Sequence, residues 1–180
     1  NQKPIGMSTQ LIVGATPESD RDILKLSSAL YDKALLKRVY YSAYIPVNND
    51  KNLPSVVTKP PLLREHRLYQ ADWLLRFYDF SWDEIVTDEF PNLDEELDPK
   101  TFWALNNLKY FPMEINTVSK DELLRIPGIG ARGVMKILNA RRFKRLTFDD
   151  LKKLKISLKK AKYFITCNKD FQRQVPFYRE

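Results

Sequence analysis

The spacing of apolar residues predicts alternating strands and helices in the first half of the chain. Residues 9–15, TQLIVGA, form a short apolar run of β-forming residues and predict a buried strand. Residues 16–35 carry apolar positions at helical spacing behind an acidic start, which predicts a helix. Residues 37–47 predict a second strand that Pro46 ends. A long amphipathic helix is predicted over 62–80, with its inner side formed by Leu63, His66, Tyr69, Trp73, Leu74 and Phe77.

The order strand, helix, strand, helix is typical of parallel strands joined by crossover connections. Two parallel strands do not make a complete sheet, because a parallel sheet needs both faces and both edges covered. We therefore interpret residues 1–80 as part of a larger α/β unit whose earlier strands are not among these 180 residues.

The rest of the chain is predicted to be helical. Residues 81–111 are expected to be an acidic linker and a connecting helix, since eight acids occur from Asp83 to Asp98 with no basic residue until Lys100. Residues 112–169 predict four short helices, at about 119–125, 131–142, 148–154 and 158–166. Two of them follow capping boxes, Ser119 with Glu122 and Thr147 with Asp150. The tail, 170–180, shows no clear period and is expected to be irregular.

The composition, with 43% hydrophobic residues, permits a packed core, and no apolar run is long enough to span a bilayer. The beginning of the sequence lacks the pattern of a signal peptide, so a cytoplasmic location is expected and a membrane partner is not. One cysteine and one histidine allow no internal disulfide and argue against a metal site built from this chain alone, so no metal ligands are predicted.

The positive charge of the chain is concentrated in one region. The net charge is +7. The stretch from Arg132 to Lys162 contains twelve Lys and Arg against Asp149 and Asp150, so it carries +10 and leaves −3 for the rest. Such a block favours a polyanionic partner, usually nucleic acid, over a merely solvated helical face.

Three of the five glycines, Gly128, Gly130 and Gly133, fall within six residues, just before a helix predicted to begin at about Ala131. Glycine permits a positive φ and a close approach of the backbone to another surface. Free N–H groups at a helix N-terminus bind anions, phosphate above all. This arrangement predicts a phosphate site, and the alternative is a tight turn that packs against another protein.

Residues 121–138, DELLRIPGIGARGVMKIL, resemble the helix-hairpin-helix family of DNA-binding motifs, which act without sequence specificity. A degenerate second copy follows at 149–165, with a turn that is one residue shorter and has no glycine. The resemblance implies paired copies in a four-helix unit that holds the phosphate backbone of duplex DNA. It implies these DNA-binding residues: Pro127, Gly128, Ile129, Gly130, Arg132, Gly133, Lys136, Arg141, Lys155 and Lys159.

Residues 9–24, 38–47 and 62–78 resemble the later part of a radical S-adenosylmethionine barrel. Together with the hairpins, the chain resembles the C-terminal portion of DNA modification or repair proteins of that superfamily. The fold class expected is a partial (βα) barrel fragment followed by an all-α helix-hairpin-helix domain. The resemblance implies contacts to S-adenosylmethionine from Gly14, Ala15, Thr16, Glu18, Tyr44, Ile45 and Pro46, although GATPES also suits an ordinary strand-to-helix turn.

The same superfamily holds a [4Fe–4S] cluster on three closely spaced cysteines, whereas this chain has only Cys167, beyond the hairpins. S-adenosylmethionine and the iron–sulfur cluster are therefore expected of a complete protein, and catalysis by these 180 residues alone is not. The expected partners are duplex DNA and the missing N-terminal part of the barrel, in the same longer chain or another. The alternatives are a non-catalytic DNA-binding protein and an adaptor that uses the hairpins to dock another protein.

Overall fold

The computed structural model describes residues 6–33, 36–48, 50–55 and 57–168. The chain divides into two compact units between Pro99 and Lys100. Residues 81–99 of the predicted linker belong to the first unit and residues 100–111 to the second, so the acidic stretch is not a separate segment. The predicted irregular tail lies outside the described residues.

The first unit has the predicted α/β order. Its elements are β1 (Ser8–Val13), α1 (Asp20–Lys33), β2 (Arg38–Ala43), α2 (Leu62–Phe77) and α3 (Trp82–Ile85). The two strands pair in parallel, from Ser8 opposite Arg38 to Val13 opposite Ala43. They make a two-stranded sheet within the described residues, and β2 ends before Pro46 is reached.

Within the described ranges, one face of this sheet is covered and the other is not. Val39 and Tyr41 on β2 are buried beneath α1 and α2. On the opposite face, Ile12 is 46% exposed and Tyr40 is 42% exposed. Parallel sheets are normally buried on both faces, whereas the second face of this sheet is exposed in the described residues.

The two edges of the sheet differ. The N–H groups that β2 directs away from β1 donate to side-chain oxygens: Val39 to Tyr31 Oη at 3.1 Å, Tyr41 to Tyr69 Oη at 3.1 Å and Ala43 to Glu65 Oε2 at 2.7 Å. On the other side, the even-numbered residues of β1 direct their backbone groups away from β2, and no described strand pairs with them. The edge at β2 is therefore sealed, and the edge at β1 is open.

A buried carboxylate ties the two helices of this unit to β2. Asp72, 1% exposed, accepts hydrogen bonds from the hydroxyl of Tyr31 and from Arg76 Nε at 2.8 Å. The hydroxyl of Tyr41 lies 3.4 Å from Asp72 Oδ1 and 2.9 Å from Ser27 Oγ. Burial raises the pKa of both tyrosine hydroxyls, so they remain protonated donors. These donors compensate the cost of burying the charge of Asp72.

The predicted inner side of α2 is wrong at several positions. Trp73 and Phe77 are exposed, with their ring centroids 4.5 Å apart, and Leu63 and His66 are exposed as well. The buried positions are Leu68, Ala71, Asp72 and Leu74. The helix turns this face inward because the hydroxyl groups on α1 and β2 supply the donors that Asp72 requires.

The second unit is mostly helical. Its elements are α4 (Pro99–Asn106, whose first residue ends the first unit), a 3₁₀ turn (Leu108–Tyr110), β3 (Met113–Glu114), α5 (Lys120–Arg125), α6 (Ala131–Ala140), α7 (Phe148–Lys153), α8 (Leu158–Ala161) and β4 (Ile165–Thr166). Both predicted capping boxes are confirmed, at Ser119 and at Thr147. The last helix is shorter than predicted and the unit is not all-α, because Ile165 and Thr166 pair in parallel with β3. None of the helices in the described ranges is both long and apolar enough to cross a bilayer.

The two helical pairs, α5 with α6 and α7 with α8, share one core. Its fully buried members include Leu123, Ile126, Ile129, Val134, Ile137, Leu151 and Phe164. Gly133 allows the pairs to approach, since a Cβ there would lie 3.3 Å from Ile129 Cγ2 and 3.4 Å from Ile156 Cδ1. Cys167 is buried beside β4.

The sealed edge of β2 leads to a first prediction. Tyr69→Phe removes the hydroxyl that accepts from the Tyr41 N–H and donates to the Tyr41 carbonyl at 2.9 Å. We expect the free energy of unfolding of the first unit to fall by about 2 kcal/mol, because two backbone groups lose their partner. Urea unfolding, together with amide exchange at Tyr41, measures the change.

Tyr40→Phe is the matched control, since Tyr40 lies on the uncovered face with its ring beneath the Arg38 guanidinium. Its effect should be within about 0.5 kcal/mol of zero. Equal destabilisation by the two substitutions would contradict a sealing role for Tyr69.

The start of α7 leads to a prediction on pH. A hydrogen bond from Lys144 Nζ at 2.5 Å, followed by those from Thr147, holds the pKa of Asp150 at about 2, below its ordinary 3.8. Because the folded pKa is lowered, the stabilisation is present above about pH 4 and is lost as the pH falls toward 2. The melting temperatures of the native protein and of Asp150→Asn should therefore converge over this range. Asp149→Asn, at the exposed neighbouring carboxylate, is the matched control for the loss of one acidic group.

Candidate nucleic-acid interface

The glycine-containing turn between α5 and α6 is at the surface, but its residues face two ways. Pro127 and Ile129 are buried, whereas Gly128 is exposed with a φ of 84°. Pro127 has no N–H group, and the N–H of Ile129 donates to the carbonyl of Ile126 at 3.2 Å. Not every amide of this corner can therefore serve an anion, and the outward-facing donors must come from Gly128 and from the start of α6.

The N-terminus of α6 has no cap from a side chain. Gly130 is the N-cap residue, with φ −96° and ψ 172°, and no side chain accepts a hydrogen bond there. Within the described ranges, the N–H groups of Gly128, Gly130, Ala131 and Arg132 donate to no acceptor. A helix of ten residues adds the positive end of its dipole to these donors, which is the arrangement that binds anions.

The second helical pair lies directly against this turn. A Cβ on Gly128 would be 3.3 Å from the backbone nitrogen of Ala161, 3.4 Å from Lys160 Cβ and 3.6 Å from the carbonyl of Ser157. Glycine is therefore needed here both for the positive φ and for the close approach. Lys160 of α8 therefore lies next to the turn, and its neighbour Lys159 is exposed.

The turn of the second pair shares a positive φ with the first but contains no glycine. Lys155 has a φ of 58° where Gly128 has 84°. The side chains of Lys155 and Arg132 are exposed. Lys136 is exposed as well, and its Nζ donates to the carbonyl of Leu154 at 2.9 Å, which links α6 to the second turn.

Arg141 has a structural task that the sequence did not indicate. Its Nη1 donates to the carbonyl of Ile115 at 3.0 Å and to that of Val118 at 2.7 Å. The side chain is half-buried at the end of α6, away from the N-terminus of that helix. Arg141 therefore anchors the segment before α5, and of the predicted basic residues it has the weakest case for a contact with phosphate.

Lys100, at the second position of α4, was missed by the sequence analysis. It is 7% exposed, and its Nζ donates to the carbonyl of Ile129 at 2.7 Å. Lysine is rarely buried to this degree without a polar partner. No local pattern could have revealed it, because the contact joins residues 29 positions apart.

In the first unit, the predicted cofactor residues meet at the carboxyl ends of the two strands. Gly14, Ala15, Thr16 and Glu18 follow β1, and the residues from Tyr44 to Pro46 follow β2, with Val13 opposite Ala43. Gly14 has a φ of 84°, and a Cβ there would lie 2.9 Å from Pro61 Cγ. The positive φ and the contact with Pro61 therefore explain why this residue is glycine. An ordinary strand-to-helix turn, the alternative to a cofactor site, would need glycine here for the same reasons.

Glu18 borders a cavity of about 390 Å³ at this end of the unit. Its carboxylate accepts from Thr16, and its carbonyl accepts from Arg64 Nη2 at 2.7 Å. The other residues around the cavity include charges of both signs: Asp20, Arg64, Arg67 and Glu95. Asp20 and Arg64 form an ion pair with each other at 2.6 Å.

The predicted cofactor residues after β2 contribute less to a possible cofactor site than those after β1. The Tyr44 N–H donates to the Val13 carbonyl at 2.8 Å, and its buried hydroxyl has no partner among the described residues. Ile45 is exposed and Pro46 is half-buried. The described residues contain no group of three His, Cys, Asp or Glu side chains that could hold a metal ion. With Cys167 buried and alone, they do not fit a [4Fe–4S] cluster.

Comparisons with known proteins find no matching family model and no significantly similar curated protein or solved structure.

Proposed function

We propose that the second unit binds the phosphate backbone of duplex DNA without sequence specificity, in the manner of a helix-hairpin-helix domain. One observation carries the proposal. The turn before α6 is exposed at Gly128 and presents N–H groups that have no acceptor in the described part of the chain, beside lysines of the second pair. Backbone donors at a helix N-terminus suit a phosphate oxygen.

The absence of sequence specificity follows from the donors themselves. Backbone N–H groups contact phosphate and sugar, and such contacts position a protein on DNA without distinguishing the bases. The charge of +10 between Arg132 and Lys162 adds a long-range attraction that is equal for all sequences.

A protein-docking adaptor is the second candidate, and two exposed apolar side chains favour it. Phe143 is 89% exposed in the loop after α6, and Met135 on α6 is exposed as well. Contacts through such side chains depend little on salt, whereas phosphate contacts depend on it steeply.

A salt titration tests the DNA proposal. The logarithm of the binding constant of the native protein for a random-sequence duplex should fall linearly with the logarithm of the salt concentration. Arg132→Ala and Lys159→Ala should each reduce that slope by about one, because each removes one phosphate contact. Fluorescence anisotropy over a series of KCl concentrations measures both quantities.

Arg145→Ala is the matched control, because Arg145 is an exposed arginine of the same unit beyond the far end of α6. Its slope should change by much less than one, because Arg145 adds to the long-range attraction without a proposed phosphate contact. Binding that does not weaken with salt, or slopes that the first two variants leave unchanged, would favour the adaptor.

We propose that the first unit is the end of a radical S-adenosylmethionine barrel from an enzyme that modifies or repairs DNA. Its support is the open edge of β1, the uncovered sheet face and the polar cavity beside Glu18. When bound, S-adenosylmethionine supplies radical chemistry. Here it would be held by the strand ends at Gly14–Glu18 and Tyr44–Pro46. The cluster would need cysteines from outside these 180 residues, whether in the same chain or another.

This proposal predicts iron in the complete gene product. If the cysteines lie in the same chain, that product should contain about four irons per chain after anaerobic reconstitution and absorb in the visible range, because one [4Fe–4S] cluster holds four irons. Iron analysis and ultraviolet–visible spectra give the answer. A complete gene product without a close cysteine triad would leave a non-catalytic DNA-binding protein as the better interpretation.

A further inference from the structure

Lys100 lies beneath the turn that the proposed function uses. Its side chain is almost wholly buried, and its ammonium donates to the carbonyl of Ile129 at 2.7 Å. Taking an ammonium group out of water costs free energy that hydrogen bonds must offset. The bond to Ile129 is therefore strong, and it acts on one particular peptide group.

The consequence for the turn follows from the geometry of that peptide. The Ile129–Gly130 peptide is planar and trans, so its C=O and its N–H point in opposite directions. Lys100 and the buried Ile129 side chain hold the carbonyl toward the interior. The N–H of Gly130 must then point away from Lys100, toward the side where the turn is exposed.

A contact has to fix the orientation of this peptide because its second residue is Gly130. A rotation of the peptide plane by half a turn changes φ of the second residue to positive values, and glycine alone adopts these without a steric penalty. The rotated peptide would present a carbonyl oxygen to the solvent instead of an N–H. A phosphate would be repelled by that oxygen.

We propose that Lys100 is a positioning residue for phosphate binding: it holds the Ile129–Gly130 peptide with its N–H outward and does not itself contact the ligand. The inference rests on the proposed function of the second unit. Its distinguishing property is that a buried ammonium displaces no counterion, so Lys100 should affect affinity without affecting the salt slope.

The first test compares Lys100→Met with Lys120→Met, at an exposed lysine of α5 in the same unit. Binding of a random duplex is measured over a series of KCl concentrations. Lys100→Met should weaken binding about ten-fold at every concentration with the native slope, because loss of the lock depopulates the binding geometry. A slope reduced by about one would make Lys100 an ordinary phosphate contact, and an unchanged affinity would remove its role; either result overturns the inference.

The second test needs no DNA. In Lys100→Met, the amide ¹⁵N and ¹H signals of Gly130 should shift, while those of Gly133 and the rest of α6 stay in place. An unchanged Gly130 signal overturns the inference. If the native protein fails to bind the duplex, the proposed function falls, whereas this measurement still decides whether Lys100 fixes the peptide. Should Lys100→Met not fold, Lys100→Gln, a shorter neutral donor, is measured in the same way.

Discussion

In the turn between α5 and α6, neighbouring backbone groups have to point in opposite directions, one into the core and the next toward the surface. The side chain and the carbonyl of Ile129 are held inside the unit, while Gly128 and the start of α6 remain at the surface. The shared core of the two helical pairs satisfies the inward half of this requirement, since Ile129 and Ile156 meet across Gly133. The backbone N–H groups that face outward remain available as donors to an anion. A change in the core beneath the turn would therefore alter the surface above it.

In the first unit, polar side chains likewise fix the direction of backbone groups. Its helices carry polar side chains into the sheet, where the hydroxyls of Tyr31 and Tyr69 and the carboxylate of Glu65 accept from the outer edge of β2. Asp20 acts similarly at the start of α1, where it binds Arg64 at 2.6 Å and the N–H of Leu93 at 2.8 Å. Because buried polar groups need partners, these contacts specify where each helix sits as well as stabilising it.

The elements that could be predicted are those with local causes. The capping boxes at Ser119 and Thr147 mark true helix starts because their partners are three residues away. The inner side of α2 could not be predicted by apolar spacing, since a buried carboxylate, Asp72, decides it. The end of α8 depends on pairing with β3 some fifty residues earlier, and the position of Lys100 depends on a carbonyl 29 residues later. The predicted ligand-contact residues were placed by resemblance, and the structure adds the packing reasons for Gly128, Gly14 and Arg141.

The unequal edges of the small sheet bear on self-association. A fibre grows by strand addition only if every protomer offers two free edges, one to receive a neighbour and one to be received. In the described residues, tyrosine and glutamate oxygens already occupy the positions that a neighbour's carbonyls would need on β2. Strand-to-strand association through this sheet would therefore terminate at two molecules joined through β1, and could not propagate into a filament.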